Sequence, residues 1–165
     1  MNQPVPLTPL EIHLCRWLAK KRGEENRARG VTSVKQCGES DEAIDLQGIG
    51  GEMAFCKLFG LWPDLNYEIR SKARGEDLGD CWCEPLGWVD VKTTRAGKGY
   101  LNIRRPSRVG YYALMEGDFP EFCFRGLIPA ADAIRPEYIK DVGNGPYWAV
   151  PASALKPYKP LWVPK

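Results

Sequence analysis

Two short β-prone runs, residues 81–84 and 88–93, flank a Pro-Leu-Gly turn and constrain the fold more than any other feature of this chain. Runs rich in Trp, Val and Thr on either side of such a turn predict an antiparallel hairpin. Side chains alternate between faces along a strand, so Asp90 and Lys92 point the same way, roughly 6.7 Å apart. The hairpin therefore places an acid and a base on one face and valines on the other.

A second acid, Asp80, precedes the first run by one residue, and the hairpin folds it back towards Asp90. Carboxylates this close repel, each raises the pKa of the other, and a divalent cation is the usual way to keep both ionised. Oxygen ligands favour Mg²⁺ or Mn²⁺, which activate water and offset charge on a phosphorane. Lys92 is placed to orient the water or offset the same charge. The pattern predicts a metal-dependent phosphodiesterase.

A third acid comes from a predicted helix over residues 40–60, with Ser40 as the N-cap and Gly60 as the C-cap. Glycine costs about 1 kcal/mol relative to alanine in a helix, so glycines there indicate close approach to a sheet or ligand. The helix contains three of them, Gly48, Gly50 and Gly51. Glu52 follows directly, and we expect it to point at the same metal.

Together the glycine-rich helix, the acid before a strand and the Asp-Val-Lys tripeptide resemble the PD-(D/E)XK superfamily of restriction-endonuclease-like nucleases, compact phage and bacterial members above all. The match covers roughly residues 40–155. The resemblance implies a central mixed β-sheet flanked by helices, and DNA cleavage, more often endonucleolytic, that leaves 5′-phosphates and 3′-hydroxyls. It also implies these site residues: Asp80, Asp90, Glu52 and the Val91 carbonyl on the metal, and Lys92 in catalysis.

The sequence departs from the superfamily at one position, because Gly79 rather than proline precedes Asp80. This leaves Asp77 as an alternative first acid. We favour Asp80, since an apolar strand begins directly after it.

The distribution of charge favours a polyanionic partner, and the resemblance implies that this partner is DNA rather than RNA. The net charge is only +2, but residues 70–108 hold nine Lys or Arg and five Asp or Glu, a local excess of 9 − 5 = +4. Basic side chains around a metal site bind phosphates. The candidate nucleic-acid-binding residues are Thr93, Thr94, Arg95, Lys98, Arg104, Arg105 and Arg108.

The length of 165 residues predicts one α/β domain: an additional N-terminal helix and basic connector over 1–39, a core over 40–155 and a tail over 156–165. Thr8 and Glu11 form a capping box for the first helix. Its predicted buried stripe is Leu10, Leu14, Trp17 and Leu18, and its predicted end is followed by a connector over residues 20–38. Downstream we predict a hairpin at 111–116 and 121–128, a short helix at 129–134, a strand at 147–150 and a helical turn at 151–155.

Other chemistries have weaker support in this composition. The six cysteines lack zinc-site spacing and are expected to be reduced, with a zinc site as the minor alternative. His13, the single histidine, lacks a partner motif for nucleophilic catalysis and is expected on a helix flank. With no apolar run long enough for a membrane span and no secretion signal, we expect a cytoplasmic protein of a prokaryotic or phage-infected cell. A homodimer, a non-catalytic nucleic-acid-binding module and a phage or host regulatory interaction module stay open.

Overall fold

The computed structural model describes residues 3–30, 39–67, 79–143 and 145–158. The helices of these ranges are α1 (Pro9–Ala28), α2 (Asp41–Phe59) and α3 (Ala130–Ala133). The strands are β1 (Pro4–Pro6), β2 (Cys81–Cys83), β3 (Gly87–Thr94), β4 (Tyr100–Ile103), β5 (Tyr111–Asp118), β6 (Glu121–Pro129), β7 (Ile139–Asp141) and β8 (Pro146–Pro151). None of the helices described is long and apolar enough to cross a membrane.

Helix α1 begins as predicted, because the Thr8 hydroxyl accepts from the Glu11 N–H and the Glu11 carboxylate accepts from the Thr8 N–H. The prediction of a connector from residue 20 is wrong for its first part, since the helix continues to Ala28. Ion pairs such as Lys21–Glu24, at 2.9 Å, join charged side chains along this added length. Residues 31–38 of the predicted connector lie outside the described ranges.

The predicted buried stripe of α1 is only partly correct. Leu18 is buried, but Leu10 and Trp17 are 77% and 43% exposed. The buried positions are instead Cys15, Leu18 and Ala19. Both candidate faces have helical spacing, and packing of α1 against α2 selects the one that carries the smaller side chains.

Helix α2 has the predicted caps: the Ser40 hydroxyl accepts from the Ala43 N–H at 3.2 Å, and Gly60 is left-handed with φ 64°. Two of its glycines lie against neighbours as expected. A Cβ on Gly50 would meet the Phe119 ring at 2.6 Å, and one on Gly51 would meet the Thr93 hydroxyl at 2.0 Å. Gly48 has nothing within 4 Å of such a Cβ, so close approach does not explain it.

The sheets confirm a mixed α/β protein. The larger sheet has the order β1-β6-β5-β3-β2, in which β3 and β5 are parallel and the other neighbours antiparallel. Both predicted hairpins, β2–β3 and β5–β6, are present. The smaller antiparallel sheet has the order β4-β8-β7. The restriction-endonuclease-like arrangement stays a prediction.

Each face of the larger sheet is covered by a different layer. Helices α1 and α2 pack on one face around buried Phe55, Val89 and Val91. The smaller sheet packs on the other, where Tyr112 and Leu114 of β5 join a second cluster with β4 and β8. Strand β3 therefore runs between two cores, and its polar residues are held in a largely buried setting.

Candidate active site

Asp80 comes directly before the first residue of β2 and lies beside β3. Cys81 pairs with Val89 in the antiparallel register, so the next position along brings Asp80 opposite Asp90. The Asp80 N–H donates to the Val89 carbonyl at 2.9 Å, and the Asp80 carboxylate accepts from the Val91 N–H at 2.6 Å. The Asp80 side chain thus accepts from a main-chain N–H of β3 that would otherwise donate to a main-chain carbonyl of a longer β2. Asp77, the alternative first acid, lies outside the described residues.

Asp90 and Lys92 share one face of β3, as the alternation predicted, and form an ion pair. Asp90 is only 3% exposed. Its second carboxylate oxygen accepts from the Ser107 hydroxyl. Tyr112, which lies opposite Asp90 on β5, accepts from the Ser107 N–H at 2.9 Å through its phenol oxygen. Asp90 is therefore oriented from two sides.

Glu52 approaches the same cluster from α2. The contact of Gly51 with Thr93 brings the helix backbone against β3, and Glu52 is the next residue. Arg22 of α1 lies 3.7 Å from the Glu52 carboxylate. Burial raises the pKa of Glu52, as does the negative charge of Asp90, while Arg22 and Lys92 partly offset the effect. Three elements thus bring charged groups to one site.

The carboxylates and the lysine influence each other strongly. Burial is the main reason that the pKa of Asp80 lies well above its usual range, and the charges of Glu52 and Asp90 raise it further. Burial alone would lower the pKa of Lys92, but Asp90 and Asp80 outweigh that effect and raise it. Lys92 is therefore protonated at neutral pH. The raised pKa values of Asp80 and Glu52 follow from their burial beside other carboxylates.

The donor chemistry of Glu52, Asp80 and Asp90 fits a hard divalent cation, since all three offer carboxylate oxygens and their repulsion would be relieved by positive charge. These three carboxylates are not arranged as a complete coordination site for a metal ion. Among the residues described, no three His, Cys, Asp or Glu side chains are arranged to hold a metal ion. The Lys92 ammonium contacts one oxygen of Asp90, and the Ser107 hydroxyl donates to the other. A cation bound by Asp90 would compete with one of these contacts.

Four of the predicted phosphate-binding residues are exposed: Lys98, Arg104, Arg105 and Arg108. Two others lie in different surroundings. Arg95 is bound to Glu39 at 2.5 Å and to Asp118 at 2.9 Å, so its positive charge already has acidic partners. The Thr93 hydroxyl is buried against Gly51. These contacts argue against the prediction that Arg95 and Thr93 line a nucleic-acid surface, and that prediction stays open to test.

Thr94 and Val91 are also placed by the register of β3. Thr94 lies opposite Glu116 of β5 and is partly buried. The Val91 side chain is buried in the helix-side core, and its N–H is the group bonded to Asp80. The role of the Val91 carbonyl as a metal ligand stays a prediction.

Sequence analysis missed Ser107, Tyr112 and Arg22. Ser107 is 17 residues from Asp90, and Arg22 is 30 residues from Glu52 in a helix predicted to end near residue 20. The sequence identified Tyr112 only as one of several aromatic residues in a predicted strand. The parallel pairing of β3 with β5 was the one signal that would have placed Tyr112 beside Asp90, and sequence periodicity carries no information on that pairing.

The cysteines of the described ranges and the histidine complete the list of candidate reactive groups. The five cysteines within the described ranges are free, and Cys15, Cys56, Cys81 and Cys83 are buried. Burial is the main cause that raises the pKa of Cys15 to about 12, which makes its thiol unreactive. Cys37 lies outside these ranges. His13 is exposed on α1, as expected for the flank of a helix.

The fold and site define a mixed α/β protein with a buried cluster of carboxylates and one lysine at the edge of its larger sheet. Over residues 5–117 the chain matches the model of a family of unknown function, DUF5843, and it belongs to that family. No curated protein and no solved structure matches it. The family range includes α1, α2, β2 to β4 and all of β5 except Asp118, and so every residue of the cluster.

Proposed function

We propose that this chain is a metal-dependent nuclease of the PD-(D/E)XK type that hydrolyses phosphodiester bonds, with DNA as the favoured substrate. The observation that carries the proposal is the convergence of Glu52, Asp80, Asp90 and Lys92 from a helix and a hairpin far apart in the chain. Burying charged groups costs free energy, so a buried cluster of them indicates that they are kept for a function. Carboxylates with perturbed pKa values cluster at functional sites.

Asp80, Asp90 and the Val91 carbonyl would hold Mg²⁺ or Mn²⁺, with Glu52 assisting. The ion would supply an activated water and positive charge at the phosphate. The residues of the chain have separate tasks. Lys92 keeps its proton because its pKa is raised, so it donates to a phosphate oxygen or to the attacking water rather than acting as a base. The raised pKa of Glu52 suits it to accept a proton nearer neutral pH.

The architecture supports a restriction-endonuclease-like fold without establishing it. The mixed sheet, the helix that lies against the strand of Asp90, and the order helix, hairpin, strand all agree with that arrangement. The exposed bases Lys98, Arg104, Arg105 and Arg108 support a polyanionic partner. We further propose a cytoplasmic protein, and a homodimer if both strands of a duplex are cut together.

A second candidate is a nucleic-acid-binding or regulatory interaction module that keeps the fold without cutting. Two contacts favour it: the ammonium of Lys92 on Asp90, and the main-chain bond that ties down Asp80. In such a module the ion pair is the permanent state of the cluster. Binding of DNA that is insensitive to EDTA, with no cleavage in Mn²⁺, would favour this reading.

The deciding experiment incubates the full chain with supercoiled plasmid, single-stranded DNA and RNA in Mn²⁺ or EDTA, beside Asp90→Ala and Lys92→Ala. We expect cleavage that requires the metal and falls at least about 100-fold in both variants. Asp132→Ala and Lys156→Ala, which remove the same charges elsewhere, should cut normally. Undiminished cutting by Asp90→Ala and Lys92→Ala would overturn the proposed site.

A further inference from the structure

Among the residues described, the smaller sheet packs one face on the second core, and its other face carries the exposed side chains of Tyr100, Asn102 and Lys140 around the buried Ala149. Leu101, Ile103 and Val150 point inward and are fully buried in the second core. Because side chains alternate along each strand, the positions between them point outward. In the ladder of β4, β8 and β7 these outward positions are Tyr100, Asn102, Tyr147, Ala149, Pro151 and Lys140.

A positively charged side chain lies over each of two aromatic rings on this face. The Lys140 ammonium lies 4.2 Å from the centre of the Tyr100 ring, and the Arg104 guanidinium lies 5.6 Å from the centre of the Tyr147 ring. Tyr100 is 40% exposed and Tyr147 is partly buried. Contacts between a cation and a ring face hold both partners in place, so each ring is ordered while a cation lies over one of its two faces.

The charge of the face is one-sided. The outward ladder positions carry Lys140 and no carboxylate. Asp141, the next residue of β7, belongs to the alternate set of positions, and its carboxylate accepts from the Gly143 N–H at 2.8 Å. Exposed rings with adjacent cations are the features that bind single strands: bases stack on the rings and phosphates meet the cations.

We propose that this face binds a single strand of nucleic acid, with bases stacked on Tyr100 and Tyr147 and phosphates held by Lys140 and Arg104. The unpaired strand is favoured over a duplex, because the base faces of a duplex are already stacked on each other. The inference deepens the proposed nuclease function, on which its role as a substrate surface rests, by naming a substrate with unpaired bases.

One residue of this face is close in sequence to a residue that contacts the acidic cluster. Arg104 is three residues before Ser107, whose hydroxyl bonds Asp90. Three extended residues span at most about 11 Å. A strand that leaves the Arg104–Tyr147 pair therefore needs only about two nucleotides to bring a phosphate to the cluster.

The test measures fluorescence anisotropy of a labelled 20-nucleotide oligo-dT and of a duplex of equal length, in EDTA so that no cleavage intervenes. We expect Tyr100→Ala and Tyr147→Ala each to weaken single-strand binding about tenfold, with the duplex changed less than about twofold. Tyr147→Phe keeps the ring and should bind as the unaltered chain does. Trp82→Ala, which removes a 51% exposed ring on the other sheet, is the matched control.

Photocrosslinking of the unaltered chain to a 5-iodouracil strand, mapped by mass spectrometry, keeps the test valid if an alanine variant fails to fold. Adducts at Tyr100 or Tyr147 support the proposal, and adducts found elsewhere overturn it. Equal losses for single strand and duplex, or none for either, also overturn it. Ring-dependent binding without any cleavage in Mn²⁺ would refute the nuclease and leave this surface standing. If single strands are cleaved equally well by Tyr100→Ala and Tyr147→Ala, the nuclease proposal stands and the proposed binding surface is refuted.

Discussion

The Asp80 carboxylate accepts a hydrogen bond from the main-chain N–H of Val91 at 2.6 Å, which joins a loop acid to the strand that carries the other charges of the cluster. This bond ends the β2–β3 ladder with a side chain in place of main chain. It also explains how a carboxyl whose pKa is raised by burial and by Glu52 and Asp90 is held beside them. Asp80 therefore has both a structural and an electrostatic part in the site.

The first prediction concerns the charge of Asp80. A carboxyl with a raised folded-state pKa contributes most stability below its ordinary value of 3.8 and loses it as pH rises towards the folded value. Asp80→Asn cannot ionise and can still accept from Val91. Without divalent cations we expect its Tm at pH 7 to exceed that of the unaltered chain by more than about 2 °C, roughly 1 kcal/mol.

The gain from Asp80→Asn should shrink as the pH approaches 4, where Asp80 itself becomes protonated. Glu137→Gln removes one exposed negative charge and should shift Tm by less than about 2 °C at either pH. A lower Tm for Asp80→Asn at pH 7 would show that the charged form is favoured in the folded chain.

The second prediction concerns Ser107 as a positioning residue for Asp90. Ser107→Ala removes the hydroxyl that donates to the Asp90 carboxylate, and we expect metal affinity or cleavage to fall about 10- to 100-fold. Ser107→Thr keeps the hydroxyl and should recover most of the loss. The readout is cleavage as a function of Mn²⁺ concentration, with the exposed Ser153→Ala as control; an identical Mn²⁺ dependence in Ser107→Ala would contradict it.

The third prediction concerns the helix glycines. A Cβ on Gly51 would meet the Thr93 hydroxyl at 2.0 Å, so Gly51→Ala should destabilise the chain by about 1–3 kcal/mol through overpacking. Gly48→Ala, with nothing within 4 Å, should stabilise it by about 0.5–1 kcal/mol through helix propensity. Denaturant unfolding of the two variants measures both changes. Shifts of the same sign would refute the close packing of α2 on β3.

The fourth prediction separates structural from substrate-facing bases. Arg95→Gln breaks the ion pairs with Glu39 and Asp118 and should cost less than about 1 kcal/mol of stability. Its affinity for DNA should be unchanged. Lys98→Gln should weaken DNA binding and reduce the slope of log affinity against log salt by about 1. Titrations at several salt concentrations decide it, and a reduced slope in Arg95→Gln would restore that residue to the binding surface.

Much of the local structure was readable from the sequence. The capping box at Thr8, the caps of α2 and both hairpins depend on residues a few positions apart, where propensity and hydrogen bonding act directly. Strand β1 was missed because Pro4 and Pro6 argue against a strand. It forms at the sheet edge beside β6, where residues without an N–H are tolerated.

The alternation of β3 alone determined that Asp90 and Lys92 share a face, because side chains two apart in any strand do so. Only the tertiary structure decided what they meet there. The hydrogen bond from the Ser107 hydroxyl to Asp90 depends on how separate elements pack, and so does the ion pair of Arg95 with Glu39, 56 positions away. Sequence periodicity describes one element at a time. Which face of an element is buried, and which charged groups pair, is decided by packing against residues distant in the chain.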